Sequence, residues 1–597
     1  MDKESLFTRR SVILGGMQAA LMTTVVGRMF YLEILSNQHY QKLSDKNRIL
    51  SRLTLPVRGL ITDRKGKILA SDHNVYRAVM IRDEADDWQL CLKRVQELIH
   101  LTPDEIDKVA LHVRRKPRFM PVAVKDNLTW QEVTTLELHL PDIAGIFIEE
   151  GRNRYYPYAL ETCHFLGYVA TPSEKELDGD PLLEQPGFKL GKTGIEKSLE
   201  SQLRGMPGIK QVEVNAFRRI VRELSTSDSV HGTQQKLTID FDLQQTLYQR
   251  LAQEESGAAV VLDIPTGEVL AYVSTPGFDN NLFVNGIPKK NWQELLNHPY
   301  HALINKPISG LYAPGSTFKM ITALAALERG VVTPHTSVNC SGHTMLGNHK
   351  FHCWTWKTGG HGTVDLIRAI ATSCDIYFYH IASLIGIDAI AEMAQRLGLG
   401  SITGIEIPGE KPGLIPTMEW KRRVHQAKWT LGESYNAGIG QGYTLTTPLQ
   451  LAVMIARLAS GKIITPTLLA GQQREFEVLA VNSQHLGYVQ TGLDKASNEG
   501  GGTSFRHRIA QPGMEMAGKT GTTQVRRITE KERVLGLVNS ADRPWNHREH
   551  ALFVGYAPIH APRFAAAVLV EHGGSGGRIA APVGRDVLLT AQQILRE

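Results

Sequence analysis

A mostly apolar stretch without charged residues, Ser11–Gly27, stands near the beginning of the chain and predicts a membrane-spanning helix. Its 17 residues would form a helix about 26 Å long, and apolar character continues to Leu35, which brings the span to the thickness of a bilayer. Basic side chains precede the stretch, at Lys3, Arg9 and Arg10. By the positive-inside rule we expect cytoplasmic residues 1–10, a helical anchor over residues 11–32, and the rest of the chain outside the cytoplasm. A cleaved signal peptide is the alternative, but no cleavage site of small residues follows.

Strand and helix patterns alternate in a first extracytoplasmic region, residues 40–232. Leu60–Leu69 has apolar runs on both sides of a polar, glycine-containing segment, which predicts two strands joined by a turn. Apolar residues at helical spacing predict three helices: Asp86–Ile99, Pro103–Val113 and Thr129–His139. The polar stretch Ser225–Gly232 predicts a loop, and we place a domain boundary there.

A second region, residues 238–597, begins and ends with predicted strands and is helical between them. A short strand and a helix are predicted for Thr238–Glu255, and the chain after Gly310 is predicted to be mainly helical to about Gly461. Strands are predicted at Ala258–Asp263, Glu268–Ser274, Glu515–Val525, Ala551–Tyr556 and Arg563–Glu571. With a final amphipathic helix at Val583–Leu595, this order predicts the α/β (α+β) class, with one five-stranded antiparallel sheet between helices.

Length and charge limit the classes of function. The 597 residues leave room for two or more domains with large cores. The formal net charge of +6 is small for this length, and the sequence has no run of Lys or Arg interleaved with aromatic residues. We therefore expect no binding of nucleic acid.

Candidate chemistry begins at a predicted helix start near the middle of the chain, where Ser316 and Lys319 lie one turn apart. Pro314 and Gly315 predict a turn, and the largely apolar residues Phe318–Leu327 predict a helix buried on nearly all sides. A hydroxyl at the positive end of such a helix becomes a nucleophile when a neighbouring amine, shielded from water, exists as the free base. The alternative is a capped core helix whose lysine reaches the surface.

A second candidate segment, Ser373-Cys374-Asp375, precedes the apolar residues of another predicted buried helix. Ser373 could relay a proton between Lys319 and a leaving amine, and Asp375 could accept a hydrogen bond from substrate or from a lysine. The pattern alone is weak, because the same spacing also occurs where a cap or a turn is the ordinary interpretation, at Ser337–Asn339 and Ser540–Asp542.

A third candidate segment, Lys519-Thr520-Gly521-Thr522, lies on the first of the late strands. Thr520 and Thr522 point to one face of a strand, and the long side chain of Lys519 could bring its charge to them, forming a site for a carboxylate. Gly521 leaves space for another backbone against the strand. The first three residues also occur twice in glycine-rich loop contexts, at Lys192–Gly194 and Lys357–Gly359.

The order of the three segments resembles that of the penicillin-binding proteins and β-lactamases, in which S-x-x-K, S-D-N and K-T-G motifs follow one another. The second motif of this chain reads S-C-D, so it ends in Asp375 instead of the commoner Asn. The resemblance covers nearly the whole chain and is to class B transpeptidases, in particular the penicillin-binding protein 2 group of elongation enzymes. Further similar segments are Arg58-Gly59, Arg154–Pro157, Gly191–Glu196, Gly440–Gly442 and Ala551–Pro558. The resemblance implies an elongated α+β pedestal domain of the dimerisation type over residues 40–232, and a transpeptidase domain over residues 238–597.

The resemblance also implies a reaction. Ser316, deprotonated by Lys319, would attack the carbonyl between the terminal D-alanines of a peptidoglycan stem peptide, and Ser373 would pass the proton to the departing D-alanine. Backbone N–H groups of Ser316 and Thr522 would form the oxyanion hole. The terminal carboxylate would be held by Lys519, Thr520 and Thr522. An amine of a neighbouring stem would complete the crosslink, and β-lactam antibiotics would acylate Ser316 and stay bound.

The same resemblance implies a location and a partner. The catalytic region would lie in the bacterial periplasm, on a single-pass anchor in the inner (cytoplasmic) membrane. The first 230 residues contain no E-D-x-x-F-type glutamate motif of a fused glycan polymerase, so the implied partner is a separate membrane polymerase of the RodA type in the elongation machinery. No cofactor would be required for the chemistry.

Two other classes of function share these motifs. A D,D-carboxypeptidase or β-lactamase-type hydrolase would use the same acyl-enzyme, although a β-lactamase needs neither a long first domain nor a retained anchor. A β-lactam-binding sensor or a catalytically inactive scaffold would use the fold for binding only. Only about ten residues precede the predicted anchor, which leaves no signalling segment, and the catalytic residues are intact.

Three of the five cysteines, Cys340, Cys353 and Cys374, lie close together in the sequence with several histidines among them. In an oxidising compartment the default prediction is a Cys340–Cys353 disulfide with Cys374 free, or unpaired thiols. The alternative is a structural zinc ion held by Cys340, Cys353, His361 and Cys374, which would fix the second candidate segment. The other two cysteines are expected to be isolated thiols: Cys91 and Cys163.

Overall fold

The structure, a computed structural model, describes residues 9–35, 49–185, 187–214, 220–526, 532 and 542–595. The predicted cytoplasmic segment, residues 1–10, lies almost wholly outside these residues, and so does the predicted start of the pedestal domain at residue 40.

The N-terminal apolar stretch forms one exposed helix, Arg9–Phe30, which is long and apolar enough to cross a membrane. A second helix of the same length, Asp375–Arg396, meets the same criteria of length and composition, but it is mostly buried inside the protein. The first helix therefore fits a single-pass membrane anchor, whereas the second belongs to the core.

Strands occur throughout both predicted domains. In chain order they are β1 (Ile49–Thr54), β2 (Ile61–Thr62), β3 (Ile68–Met80), β4 (Val122–Leu128), β5 (Ile146–Tyr155), β6 (Val169–Ala170), β7 (Leu190–Gly191), β8 (Gly208–Val214), β9 (Ile220–Ser227), β10 (Gln235–Lys236), β11 (Gly257–Asp263), β12 (Val269–Thr275), β13 (Val338–Cys340), β14 (His343–Leu346), β15 (His349–His352), β16 (Gly362–Val364), β17 (Ala517–Thr523), β18 (His550–Ala557) and β19 (Phe564–Val570).

Helices predominate in the middle of the second region. The α-helices of seven or more residues are Arg9–Phe30, Trp88–Ile99, Pro103–Arg115, Trp130–His139, Ala159–Leu166, Phe241–Leu251, Lys289–Leu296, Lys319–Glu328, Leu366–Thr372, Asp375–Arg396, Met418–His425, Leu431–Gly438, Pro448–Ser460, Ser483–Asn498 and Ala581–Ile594. The three helices predicted in the first region are confirmed. Thr102 and Thr129 begin two of them with reciprocal capping boxes.

The first region is built around the long strand β3, which pairs antiparallel with β2, β4 and β5. Beside it, a buried carboxylate joins distant segments: Glu196 accepts from Arg58 Nε at 2.7 Å and from Arg154 Nε at 2.6 Å. Glu196 is fully buried and both guanidinium groups are nearly so, so losing either partner would leave an uncompensated buried charge.

The second region contains the predicted five-stranded sheet, in the order β12-β11-β19-β18-β17 with every neighbouring pair antiparallel. Side chains along its strands alternate between two cores. Val260 and Leu552, for example, face the core that includes helices Lys319–Glu328 and Pro448–Ser460, while Val261 faces the core on the opposite side. The α/β (α+β) prediction of a sheet between helices is therefore confirmed.

One prediction of local structure is wrong in part. Ser225–Ser227 continue β9 and pair with β8, so the loop predicted over Ser225–Gly232 begins only after Ser227. Here pairing with a neighbouring strand overrides the local polarity of a short segment. The predicted, mainly helical middle is confirmed, and it also contains two small two-stranded sheets, β13–β16 and β14–β15.

The two regions share backbone contacts at their junction. Asp63 is almost fully buried, and its carboxylate accepts from the amides of Lys65 and Lys67 and also, at 3.2 Å, from Phe241 N at the start of helix Phe241–Leu251. Strand β10, which directly precedes the second region, pairs in parallel with β2 of the first. The junction is therefore held by the hydrogen bond from Phe241 N to Asp63 and by the pairing of β10 with β2.

Candidate active site

Ser316 lies in a tight turn that is fixed on both sides. Gly315–Phe318 form a 3₁₀ turn that runs directly into helix Lys319–Glu328. Gly315 N donates to Gly440 O at 2.8 Å, and on the other side Thr523 Oγ1 donates to Ala313 O at 2.7 Å. The turn is thus held between the Gly440 loop and the end of β17, and Ser316 itself remains partly exposed to solvent.

Lys319 is fully buried, and its side-chain nitrogen contacts the second candidate segment. Nζ lies 2.9 Å from Ser373 O, 3.1 Å from Ser373 Oγ and 2.7 Å from Asp375 Oδ1. Among the described hydrogen bonds none joins Lys319 to Ser316. The structure therefore shows the lysine hydrogen-bonded to a carboxylate, whereas the sequence predicts a free amine beside the serine.

Ser373 and Asp375 are presented by the junction of two helices. Ser373 ends helix Leu366–Thr372 in the left-handed conformation (φ +58°), and Asp375 begins the next helix. Asp375 Oδ2 accepts from Trp354 N at 2.9 Å, so both carboxylate oxygens are used. Burial raises the pKa of Asp375, and the positive charge of Lys319 acts in the opposite direction.

The third candidate segment lies on β17, at the edge of the sheet and against the turn of Ser316. Lys519 is fully buried and its Nζ donates to Thr520 O at 3.0 Å. Its pKa is well below the usual range because burial disfavours the charged form, and the nearby charge of Lys319 adds to the effect. Thr520 is buried, while Thr522 is exposed and accepts from Gly576 N at 3.1 Å through its hydroxyl. An anion bound here would favour the charged form of Lys519.

Gly521 permits a close approach within the chain itself. A Cβ atom at this position would lie 3.0 Å from Pro314 O and 3.1 Å from Thr317 Cγ2. The sequence predicts that Gly521 leaves space for another backbone against the strand. On the face where a side chain would stand, the turn of Ser316 already fills that space, so the prediction is wrong for this face. The edge of β17 away from β18 carries no further strand among the described residues.

The four predicted metal ligands are brought together. The ligand atoms of Cys340, Cys353, His361 and Cys374 all lie within 4.8 Å of one another, and all five cysteines of the chain are unpaired. The predicted Cys340–Cys353 disulfide is therefore absent, since both sulfur atoms instead approach His361 Nδ1, at 3.6 Å and 3.5 Å. Sulfur and nitrogen ligands of one tetrahedral zinc ion stand about 3.6 Å apart, so these separations fit zinc.

The cluster touches the second candidate segment directly. Asp375 N donates to Cys353 Sγ at 3.4 Å, and Thr355 Oγ1 approaches the same sulfur at 3.6 Å. A hydrogen bond from Cys374 lowers the pKa of Cys353, and the same bond raises the pKa of Cys374. No sequence motif points to Trp354 or Gly576, because these residues contact Asp375 and Thr522 through their backbone amides.

Comparison with known proteins gives the family of the chain. The model of the penicillin-binding protein transpeptidase domain matches residues 257–589, and that of the penicillin-binding protein dimerisation domain matches residues 53–237. The peptidoglycan D,D-transpeptidase MrdA of Acinetobacter baumannii is 34% identical over 606 residues, which cover 99% of this chain and 89% of that protein.

Solved structures show the same similarity. The complex of PBP2 with MreC from Helicobacter pylori matches with a TM-score of 0.81 at 28% identity, covering 92% of this chain and 99% of that one. A peptidoglycan synthase complex, described as coordinating polymerization and crosslinking, matches with a TM-score of 0.70 at 30% identity, covering 98% and 99%.

These matches extend over both regions of the chain. The chain therefore belongs to the penicillin-binding protein transpeptidase family. Within that family the similarity is to penicillin-binding protein 2, and the predicted class, a serine-type D,D-transpeptidase, is confirmed.

Proposed function

We propose that this chain crosslinks peptidoglycan stem peptides through an acyl-enzyme on Ser316 during cell elongation. The observation that carries the proposal is the convergence of three separate segments: Lys319 bonds to Ser373 and Asp375, and β17 with Lys519 lies against the turn of Ser316. These are the parts that acyl transfer requires, namely a nucleophile, proton carriers and a site for the substrate's anionic end.

Acylation follows from these positions. Ser316 Oγ attacks the carbonyl between the terminal D-alanines, the ester bond forms, and the amide bond to the last D-alanine breaks. The Lys319–Asp375 pair reacts with its proton on Asp375, whose pKa burial raises, so that Lys319 is a free amine and takes the serine proton. Ser373, whose Oγ is 3.1 Å from Lys319 Nζ, passes a proton to the amine of the departing D-alanine. The N–H groups of Ser316 and Thr522 stabilise the oxyanion.

The second half of the reaction repeats these steps with a different nucleophile. An amine from a neighbouring stem attacks the ester, loses its proton to the same carriers and releases Ser316. The substrate's terminal carboxylate is held by Lys519, Thr520 and Thr522. Every group in this scheme belongs to the protein or the substrates, so the chemistry needs no cofactor.

We further propose that Cys340, Cys353, His361 and Cys374 hold a structural zinc ion. The spacing of their ligand atoms and the short contact between Cys353 and Asp375 N support this assignment. When bound, the ion would fix the segment that carries Ser373 without entering the reaction. With all four zinc ligands supplied by the protein, the bound ion would also protect the three neighbouring thiols from oxidation outside the reducing interior of the cell.

The location and partners extend the proposal. The exposed helix Arg9–Phe30 supports an inner-membrane anchor over residues 11–32, with the catalytic region in the periplasm. The two family matches support the division into a pedestal over residues 40–232 and a transpeptidase domain over residues 238–597. The similar PBP2–MreC and synthase complexes support association with the elongation machinery and a RodA-type polymerase.

The test is the intact mass of the purified full chain after incubation with benzylpenicillin, beside a Ser316→Ala variant. We expect a long-lived adduct of one penicillin on the wild type and none on the variant. A short-lived adduct would assign the chain to the hydrolases, and an adduct that persists in Ser316→Ala would mean that the nucleophile is another residue.

A further inference from the structure

A surface beside the catalytic turn combines exposed cations with aromatic rings. It is formed by helix Met418–His425, the loop after it and the Gly440 loop, and we call it the rim patch. Its members are Trp420, Arg422, Arg423, Lys428, Trp429 and Tyr443.

The cations of the rim patch are available to a ligand. Arg422, Arg423 and Lys428 are exposed, and none has an ion-pair partner in the part of the chain that the structure describes. Their neighbour Lys421 differs, because it is buried and forms an ion pair with Glu433. The fold thus neutralises the one inward-pointing cation of this helix and leaves its two outward arginines without an ion pair. One exposed carboxylate, Glu419, lies in the first turn of the same helix.

The aromatic members form a partly exposed cluster around Tyr443. Its ring centroid lies 5.1 Å from that of Trp420, 5.0 Å from that of His425 and 6.4 Å from that of Trp429. Trp429 is oriented by a hydrogen bond from its Nε1 to Ser434 Oγ at 2.9 Å. These are rigid, flat surfaces held in place by their neighbours, so a ligand can bind them at little entropic cost.

The rim patch is tied to the turn of Ser316. Tyr443 follows Gly440 by three residues, at most about 11 Å of chain, and Gly440 O is the acceptor for Gly315 N. The helix that carries Ser434 is joined to the helix after Ser316, since Thr322 Oγ1 donates to Gly438 O at 2.8 Å. The patch therefore keeps a fixed position beside the nucleophile.

We infer that the rim patch binds the uncrosslinked glycan–peptide strand on either side of the reactive stem. This inference rests on the proposed function, which makes that strand the substrate. Its stems carry carboxylates, which guanidinium groups bind in bidentate geometry, and its sugar rings have apolar faces that pack on aromatic rings. The cations and aromatic rings of the rim patch thus suit the carboxylates and sugar rings of the glycan–peptide strand. A β-lactam bound at Ser316 is too short to reach the patch.

The test is cosedimentation of the full chain, in detergent, with purified uncrosslinked peptidoglycan. Arg422→Glu/Arg423→Glu should weaken this binding at least about tenfold, and the wild type should bind equally weakly when the polymer's carboxylates have been amidated. The matched control is Lys289→Glu/Lys290→Glu, which makes the same change of charge on another exposed helix and should bind like the wild type. A second variant, Trp420→Ala, should weaken binding without changing charge.

Penicillin acylation separates this inference from the proposed function. The charge-reversed variant should be acylated by benzylpenicillin at the wild-type rate, which shows that Ser316 and the fold are intact. If the charge-reversed variant is acylated normally and still binds the polymer as tightly as the wild type, the inference alone is overturned. It is also overturned if the same variant loses binding to anionic lipid vesicles but keeps binding to the polymer. Failure of wild-type acylation would overturn the proposed function instead.

Discussion

Asp375 Oδ1 lies 2.7 Å from Lys319 Nζ, while its other oxygen accepts the amide of Trp354. One carboxylate thus joins the lysine of the first motif to the loop that carries Cys353. Because Asp375 is buried, both of its hydrogen bonds are made in a surrounding that strengthens them and penalises their loss.

Asp375→Asn should slow acylation. An amide has only one acceptor oxygen, so either Lys319 Nζ or Trp354 N would lose its partner. We expect the second-order rate constant with benzylpenicillin to fall by about tenfold or more. The control is Glu328→Gln, at the far end of the helix that begins at Lys319, which changes a carboxylate that pairs with His485. An unchanged rate in Asp375→Asn would show that the ion pair is not needed for acylation.

Gly521→Ala should displace the turn of Ser316. The added methyl would meet Pro314 O at 3.0 Å, Thr317 Cγ2 at 3.1 Å and Leu552 Cβ at 3.2 Å. The turn or the sheet must therefore shift by a few tenths of an ångström, and we expect acylation to slow by about tenfold. Gly487→Ala is the matched control, because nothing lies within 4 Å of a Cβ at that position. Equal acylation in both variants would contradict the prediction.

Protein purified without chelator should contain one zinc ion per chain. Cys353→Ser should lose most of the metal, because it removes one thiolate from the set. A strong chelator should lower the melting temperature of the wild type but not of that variant. Cys163→Ser, a buried cysteine outside the cluster, should retain the ion. Elemental analysis showing no zinc in the wild type would end the assignment.

Stability should fall on mild acidification partly because of His550. Its Nδ1 accepts from His572 N at 3.0 Å, and burial with the neighbouring His572 lowers the pKa of His550 to about 4. In the unfolded chain the pKa of His550 is about 6.5, so as the pH falls the unfolded chain takes up the proton before the folded protein does. The stabilisation present above pH 6.5 is therefore lost as the pH falls toward 4.

The effect can be isolated by substitution. Between pH 7.5 and pH 5, His550 should account for a loss of about 1–2 kcal/mol in the free energy of unfolding, after allowance for its partial exposure. His550→Gln keeps an acceptor for His572 N but does not titrate, so urea unfolding at the two pH values should show a smaller difference. The exposed His335→Gln should behave like the wild type, and an equal difference in all three proteins would refute the assignment.

The sequence was sufficient for features that depend on local pattern. The hairpin of β11 and β12, the late strands and the apolar helix after Ser316 all follow from the spacing of apolar residues. The four ligand positions of the cysteine–histidine cluster were also predictable, because three of the five cysteines lie within 35 residues of one another.

Features that depend on distant contacts were not predictable. The left-handed turn at Ser373 decides which acceptors lie within reach of Lys319. Trp354 contributes to the site through its backbone amide, which donates to Asp375. The strand at Ser225–Ser227 likewise forms because β8 lies beside it, although its own residues are those of a loop.

The junction at Asp63 has a consequence for cooperativity between the two domains. Its carboxylate serves a turn in one domain and a helix start in the other, and β10 lies in the sheet of the domain that precedes it. Residues 238–597 produced alone would lack the acceptor for Phe241 N. We therefore expect the two domains to unfold together, as one cooperative unit.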